Sequence, residues 1–177
     1  EFELIDDNDL IIFTDPNLDP FEGNNDTDLL IDESQSVITE NIGSSNFDLG
    51  HTFGTGGGGL ASTGPCEDDY KASGVTGLDN PQGDAFDVDL VAHEIGHQLG
   101  MSHTFNSNSE NCLRNRWASA AFEPGAGTTI MGYAGLCGAD DITNDSDVMF
   151  HSYSFEEAES VVWLGSGSQC GVVAEQV

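Results

Sequence analysis

Basic residues are almost absent from this chain. Across 177 residues there are three, Lys71, Arg114 and Arg116, against 32 aspartates and glutamates, a formal net charge of −29. A surface of that sign repels polyanions at long range, which argues against nucleic acid and against anionic membranes as partners. Long apolar runs are missing too: no stretch approaches the roughly 20 residues of a membrane span. Cysteine is sparse. Cys66, Cys112, Cys137 and Cys170 contain no C-x-x-C pair, which suits a zinc knuckle poorly and two disulfides well, hence an oxidising compartment. By count alone the four can pair in three ways. The chain begins at Glu1 with neither Met nor a basic, apolar leader. The expectation is a trimmed mature product, secreted and extracellular, with export inferred from the cysteines and the acidity.

The length suits one domain, 1–177, able to bury its own core. So large an acid excess calls for divalent cations or a salty medium, or else simply keeps an exported protein soluble. Residues 10–13, set between acidic runs, predict a short buried strand. The loop from Asp15 to Asp28 opens like a calcium loop with Asp15, Asn17 and Asp19. Pro20 stands where an EF-hand needs glycine, so that motif is rejected. Residues 29–42 predict an amphipathic helix with Leu30, Val37, Ile38 and Ile42 on its apolar side. Strands are expected over 47–53 and 72–77. Gly56–Gly59 reads as a flexible turn and not a phosphate loop, because no Gly-Lys-Ser/Thr follows. Residues 155–164 predict a last helix.

A further helix is expected from a cap at Asp84, with Asp87 in its first turn and Gly100 at its end. It carries the chemistry. Residues 93–103 read His-Glu-Ile-Gly-His-Gln-Leu-Gly-Met-Ser-His. Helical positions i and i+4 share one face, so His93 and His97 converge on one point, and neutral imidazole is a good zinc ligand. A turn at Gly100 lets the chain reverse and deliver His103 as third ligand. Glu94 can reach a water at the metal without filling a coordination position. Three protein ligands leave a fourth position open, which marks a catalytic site.

The run from His93 to His103 resembles the metzincin zinc endopeptidases, whose extended motif is His-Glu-x-x-His-x-x-Gly-x-x-His. Thr129-Ile130-Met131-Gly132-Tyr133 looks like the Met-turn of that clan. Within it, the Met131 run, the glycines before Lys71 and the cysteine placement are most similar to bacterial reprolysin-like members. The resemblance implies an α+β fold: a twisted mixed sheet with helices, then a small irregular C-terminal subdomain, divided into 1–103 and 104–177. It implies a secreted zinc endopeptidase with zinc (Zn2+) on His93, His97 and His103, Glu94 as general base, and protein or peptide substrates lying extended in the cleft. It implies the bridges Cys66–Cys170 and Cys112–Cys137. Thr104 departs from the Asp that reprolysins usually place after the third histidine. Tyr133 matches a tyrosine that approaches zinc in astacin-like and serralysin-like members; otherwise it is a packed aromatic. The part before the zinc helix is short for a metzincin, as if a first strand and helix were absent or lay on a pro-segment or separate N-terminal fragment.

His51 and His151 read as packing or surface residues, with His51 a second candidate for lining the cleft. Asp140, Asp141, Asn144, Asp145 and Asp147 have oxygens enough for a structural calcium (Ca2+) and equally suit a solvated loop. The alternative function is a secreted, calcium-stabilised binding module that keeps a zinc site without catalysis. Glu94 counts against it, since a binding module has no need of a general base.

Overall fold

The computed structural model describes residues 2–170. Its longest helix, α1 (Thr27–Ile42), buries Leu30, Ser34, Val37, Ile38 and Ile42, a stripe at the 3.6-residue period. Asp26 caps it by accepting from the Leu29 N–H at 3.3 Å. Beneath α1 lie three short strands, β1 (Thr52–Gly54), β2 (Gly58–Ala61) and β3 (Gly74–Gly77). The order is β1-β3-β2, with β1 parallel and β2 antiparallel to the central β3. Ile38, Ile42, Phe47 and Ala72 form the apolar core between α1 and the sheet, with Ile5 and Ile11 packed against it. A buried polar stitch reinforces it: the Ser34 hydroxyl donates to the Ala72 carbonyl at 2.7 Å and accepts from Thr52 Oγ1 at 2.8 Å.

A helical run over residues 84–98 crosses under the sheet. It begins as α2 (Asp84–Phe86), widens to a π-helix over Asp87–Ala92 and tightens to α3 (His93–Gln98). The last helix, α4 (Ser152–Val162), packs Ala158 against Val88, Met101, Ile130 and Met131. A third cluster joins Phe105, Ala126 and the buried Cys112 and Cys137. Among the described residues beyond 103 the only β pairing is one isolated bridge, Phe105 to Glu123. The α+β expectation with an irregular C-terminal region therefore holds. Both bridges are present as expected, Cys66–Cys170 and Cys112–Cys137.

Several local expectations are corrected. Residues 10–13 form no strand; a 3-10 turn spans Asn8–Ile11, leaving Leu10 and Ile12 exposed while Ile11 reaches the core. Four apolar residues cannot fix a period, and no neighbouring strand pairs with them. The strand expected over 47–53 begins only at Thr52 and the one over 72–77 only at Gly74. The supposed turn Gly56–Gly59 is half strand, since Gly58 and Gly59 open β2. Gly83, not Asp84, occupies the cap position, and no side chain caps that end. The final helix lies at 152–162, with the His151 ring accepting from the Tyr153 N–H at 3.1 Å as its cap.

Candidate metal centre and active site

Residue spacing on α3 places His93 and His97 one turn apart with their Nε2 atoms 3.1 Å from each other. The helix then stops on Gly100, whose φ is +91°. Gly100 N–H donates to the His97 carbonyl and Met101 N–H to the Gly96 carbonyl, both at 2.9 Å. That pair of bonds closes a helix on a left-handed residue, a conformation glycine adopts without strain. The reversal brings His103 back: its Nε2 lies 3.1 Å from that of His93 and 2.9 Å from that of His97.

The protons on these rings are fixed by what the other nitrogens meet. His93 Nδ1 faces the Ile130 carbonyl at 2.7 Å, His97 Nδ1 the Met101 carbonyl at 2.7 Å, and His103 Nδ1 the Asn115 carbonyl at 2.6 Å. A carbonyl only accepts, so each Nδ1 carries the hydrogen and each Nε2 offers a lone pair. Three lone pairs within 2.9–3.1 Å repel one another, and a cation between them turns that repulsion into ligation. Tetrahedral zinc with bonds of about 2.0–2.1 Å has ligand atoms roughly 3.3–3.4 Å apart, so the site fits the ion with a slight outward relaxation. Burial also keeps the rings neutral. It lowers the pKa of His97, drives that of His93 well below the usual range and pulls that of His103 down to about 4, aided by the neighbouring His97.

Glu94 is buried beside the ligands, and burial alone pushes its pKa up to about 8. Gly59 of β2 runs directly over it: a Cβ there would lie 2.3 Å from Glu94 Cγ and Oε1. The carboxyl thus sits between the ligand helix and an outer strand of the sheet. Met131 is fully buried below, in the space left by Gly96, where a Cβ would come within 2.6 Å of its sulfur. Tyr133 packs its ring 4.6 Å from His103 and 5.7 Å from His93. Burial, then the charge of Glu94, raises its hydroxyl to about 12, so it is a proton donor at neutral pH.

A family model for Metallo-peptidase family M12B, reprolysin-like, matches residues 1–161. The chain belongs to this family. No curated protein and no solved structure matches it. Membership in the reprolysin-like metallopeptidases brings zinc as the metal and proteins or peptides as the substrate class, and the three-histidine cluster supplies a place for that zinc.

The remaining candidates take other places. His51 is bound through Nδ1 to Gln98 and through Nε2 to Thr76, both at 2.8 Å, so it joins the ligand helix to β3. His151 caps α4 and stacks on Phe122. Among the described residues, the acidic runs 15–28 and 140–147 do not bring three carboxylates to one point. Asp140 instead accepts from Ser107 and Ser109, and Asp141 from the Cys137 N–H. Asp48 lies near Cys66 and Cys170, but those sulfurs are spent on their bridge. Sequence reasoning missed the carbonyls of Met101, Asn115 and Ile130 that set the tautomers, and no side-chain pattern announces a carbonyl.

Proposed function

We propose that this reprolysin-like protein is a secreted zinc endopeptidase that hydrolyses peptide bonds in extended polypeptides, with His93, His97 and His103 as the metal ligands. The observation that carries the reading is the convergence of the three Nε2 lone pairs on one point beside one buried carboxyl. When bound, zinc supplies a Lewis acid that polarises the scissile carbonyl and acidifies water. Glu94 takes the proton from the attacking water and later hands it to the departing amine. Its raised affinity for a proton suits the second half of that exchange. Tyr133 has the role of donating a hydrogen bond as charge develops on the carbonyl oxygen, a reading supported by its protonated hydroxyl and by its ring packing on two of the imidazoles. The side of β2 away from β3 offers backbone groups to which a substrate strand can add, holding the bond near Glu94.

Two disulfides support an oxidising, extracellular setting. Casein hydrolysis by protein of known zinc content, with and without chelator, tests the proposal. One zinc per chain and chelator-sensitive cleavage are expected. Zinc uptake without cleavage would favour a binding module.

A further inference from the structure

His103 is the ligand that no helix or strand carries, and its two neighbours in sequence are gripped from outside. On one side, Glu157 of α4 accepts from the Ser102 N–H at 2.8 Å through Oε2 and from the Ser102 hydroxyl at 2.7 Å through Oε1. On the other, Glu123 is buried and accepts from the Thr104 hydroxyl. The same carboxylate reaches the Met-turn, accepting from Thr128 N at 2.9 Å, Thr129 N at 3.1 Å and Thr129 Oγ1 at 2.6 Å. Backbone bonds complete the grip: Thr104 N donates to the Met131 carbonyl at 3.0 Å, and Glu123 N to the Thr104 carbonyl at 2.9 Å.

We infer that Glu123 and Glu157 are positioning residues for the third metal ligand, two carboxylates that clamp residues 102 and 104 so that His103 Nε2 meets the other two imidazoles. The sequence sets Glu123 apart. In a chain with 32 acidic residues it is the only charged residue between Arg116 and Asp140. A carboxylate kept in such a stretch, buried and satisfied by four donors, is not there for solubility. It also accounts for Thr104. Where reprolysins usually have a carboxylate directly after the third histidine, this chain has the donor, and the carboxylate comes from residue 123. Glu157 acts through the backbone as well as the hydroxyl of Ser102, so it fixes the Met101–Ser102 peptide, one residue before His103. Neither carboxylate belongs to the cluster of converging ligand atoms on His93, His97 and His103.

The inference rests on the proposed zinc site, and its test separates the two. The full chain, loaded with zinc, is mixed with excess chelator and the rate of metal loss followed, while far- and near-ultraviolet circular dichroism checks the fold. Glu123→Ala and Glu157→Ala should each release zinc about 10-fold faster, the low end of what losing an outer partner of a metal ligand causes. Glu123→Gln and Glu157→Gln should restore most of the wild-type rate, because the hydroxyls of Ser102, Thr104 and Thr129 can reverse and accept from an amide. With cobalt in place of zinc, the visible bands should shift in the alanine variants and not in the glutamine ones. Folded alanine variants that hold zinc like wild type would overturn the clamp, as would glutamine variants as leaky as alanine. If an alanine variant does not fold, Thr104→Val and Ser102→Ala, each losing one hydroxyl, should still speed release; wild-type rates in both would overturn it equally. A wild-type chain that takes up no zinc defeats the proposed function and the clamp together, whereas zinc uptake with indifferent variants defeats the clamp alone.

Discussion

His93 and His97 reach the metal centre from α3, while His103 reaches it from residues 102–104, which belong to no helix or strand. On the helix side, geometry comes from backbone periodicity and needs only that the helix form and end at Gly100. On the other side it comes from long-range side-chain bonds, a disulfide and the Met-turn. The first arrangement is written in local spacing and the second in contacts between residues far apart in the chain. Errors should therefore propagate differently: damage on the helix side should act through packing or chemistry at one residue, and damage on the irregular side through a whole segment.

The largest effect expected from a single change lies on the helix side. Glu94→Gln should keep zinc and fold while lowering the rate of peptide hydrolysis roughly 10²–10⁴-fold, about 3–5 kcal/mol of transition-state stabilisation. Turnover of a quenched fluorescent peptide, with zinc content measured on the same sample, checks it; near-normal turnover would remove Glu94 from the chemistry. On the irregular side, replacing Cys112 and Cys137 by serine opens a bridge spanning 25 residues. Chain entropy alone gives up to about 3.5 kcal/mol of lost stability, often less in practice. Urea unfolding reads this, and zinc retention should fall with it because His103 stacks on Phe105 of the same cluster. A stable variant with unchanged zinc affinity would mean the segment keeps its shape without the bridge.

Gly96→Ala sharpens the contrast by attacking the contact between the two sides. The added methyl meets the Met131 sulfur at 2.6 Å, and overpacking of a tight core costs roughly 1–3 kcal/mol. Met131→Ala combined with Gly96→Ala should show coupling between the sites in a double-mutant cycle; strict additivity would mean the floor and the helix are independent. The smallest effect concerns His51. Burial lowers its pKa below the usual 6.5. The unfolded chain then binds the proton more readily, so His51 contributes stability that is present above pH 6.5 and is lost as pH falls toward its lowered value. His51→Gln should flatten that part of the acid limb in denaturant titrations at pH 7 and pH 5. An unchanged slope would show that His51 does not titrate against the fold.

How much could be read from residues alone follows the same division. The three-histidine cluster and the helix stop were legible because i, i+4 spacing and a glycine after the helix encode them within eleven residues. The disulfide pairing was legible through the family resemblance, not through spacing. The π-helix before His93 was not, because a ring of i+5 bonds has no compositional mark. The strand expected over 10–13 failed because a strand exists only with a partner. Glu123 and Glu157 were hidden among many acids, and only the lack of other charges around Glu123 could have singled it out. His51 was legible as a packing residue, while its partners Gln98 and Thr76, 47 and 25 positions away, were not.

The bridge from Cys66 to Cys170 has a consequence for survival. It spans 104 positions, and within that span lie His93, His97 and His103, Glu94, the Met-turn and the other bridge. A peptidase at high concentration is its own nearest substrate. A single cut in an exposed loop inside this ring frees no fragment, because the two pieces stay joined at the bridge. A single self-inflicted cut inside the ring would then appear as new bands only after reduction, while the unreduced molecule gains the mass of one water.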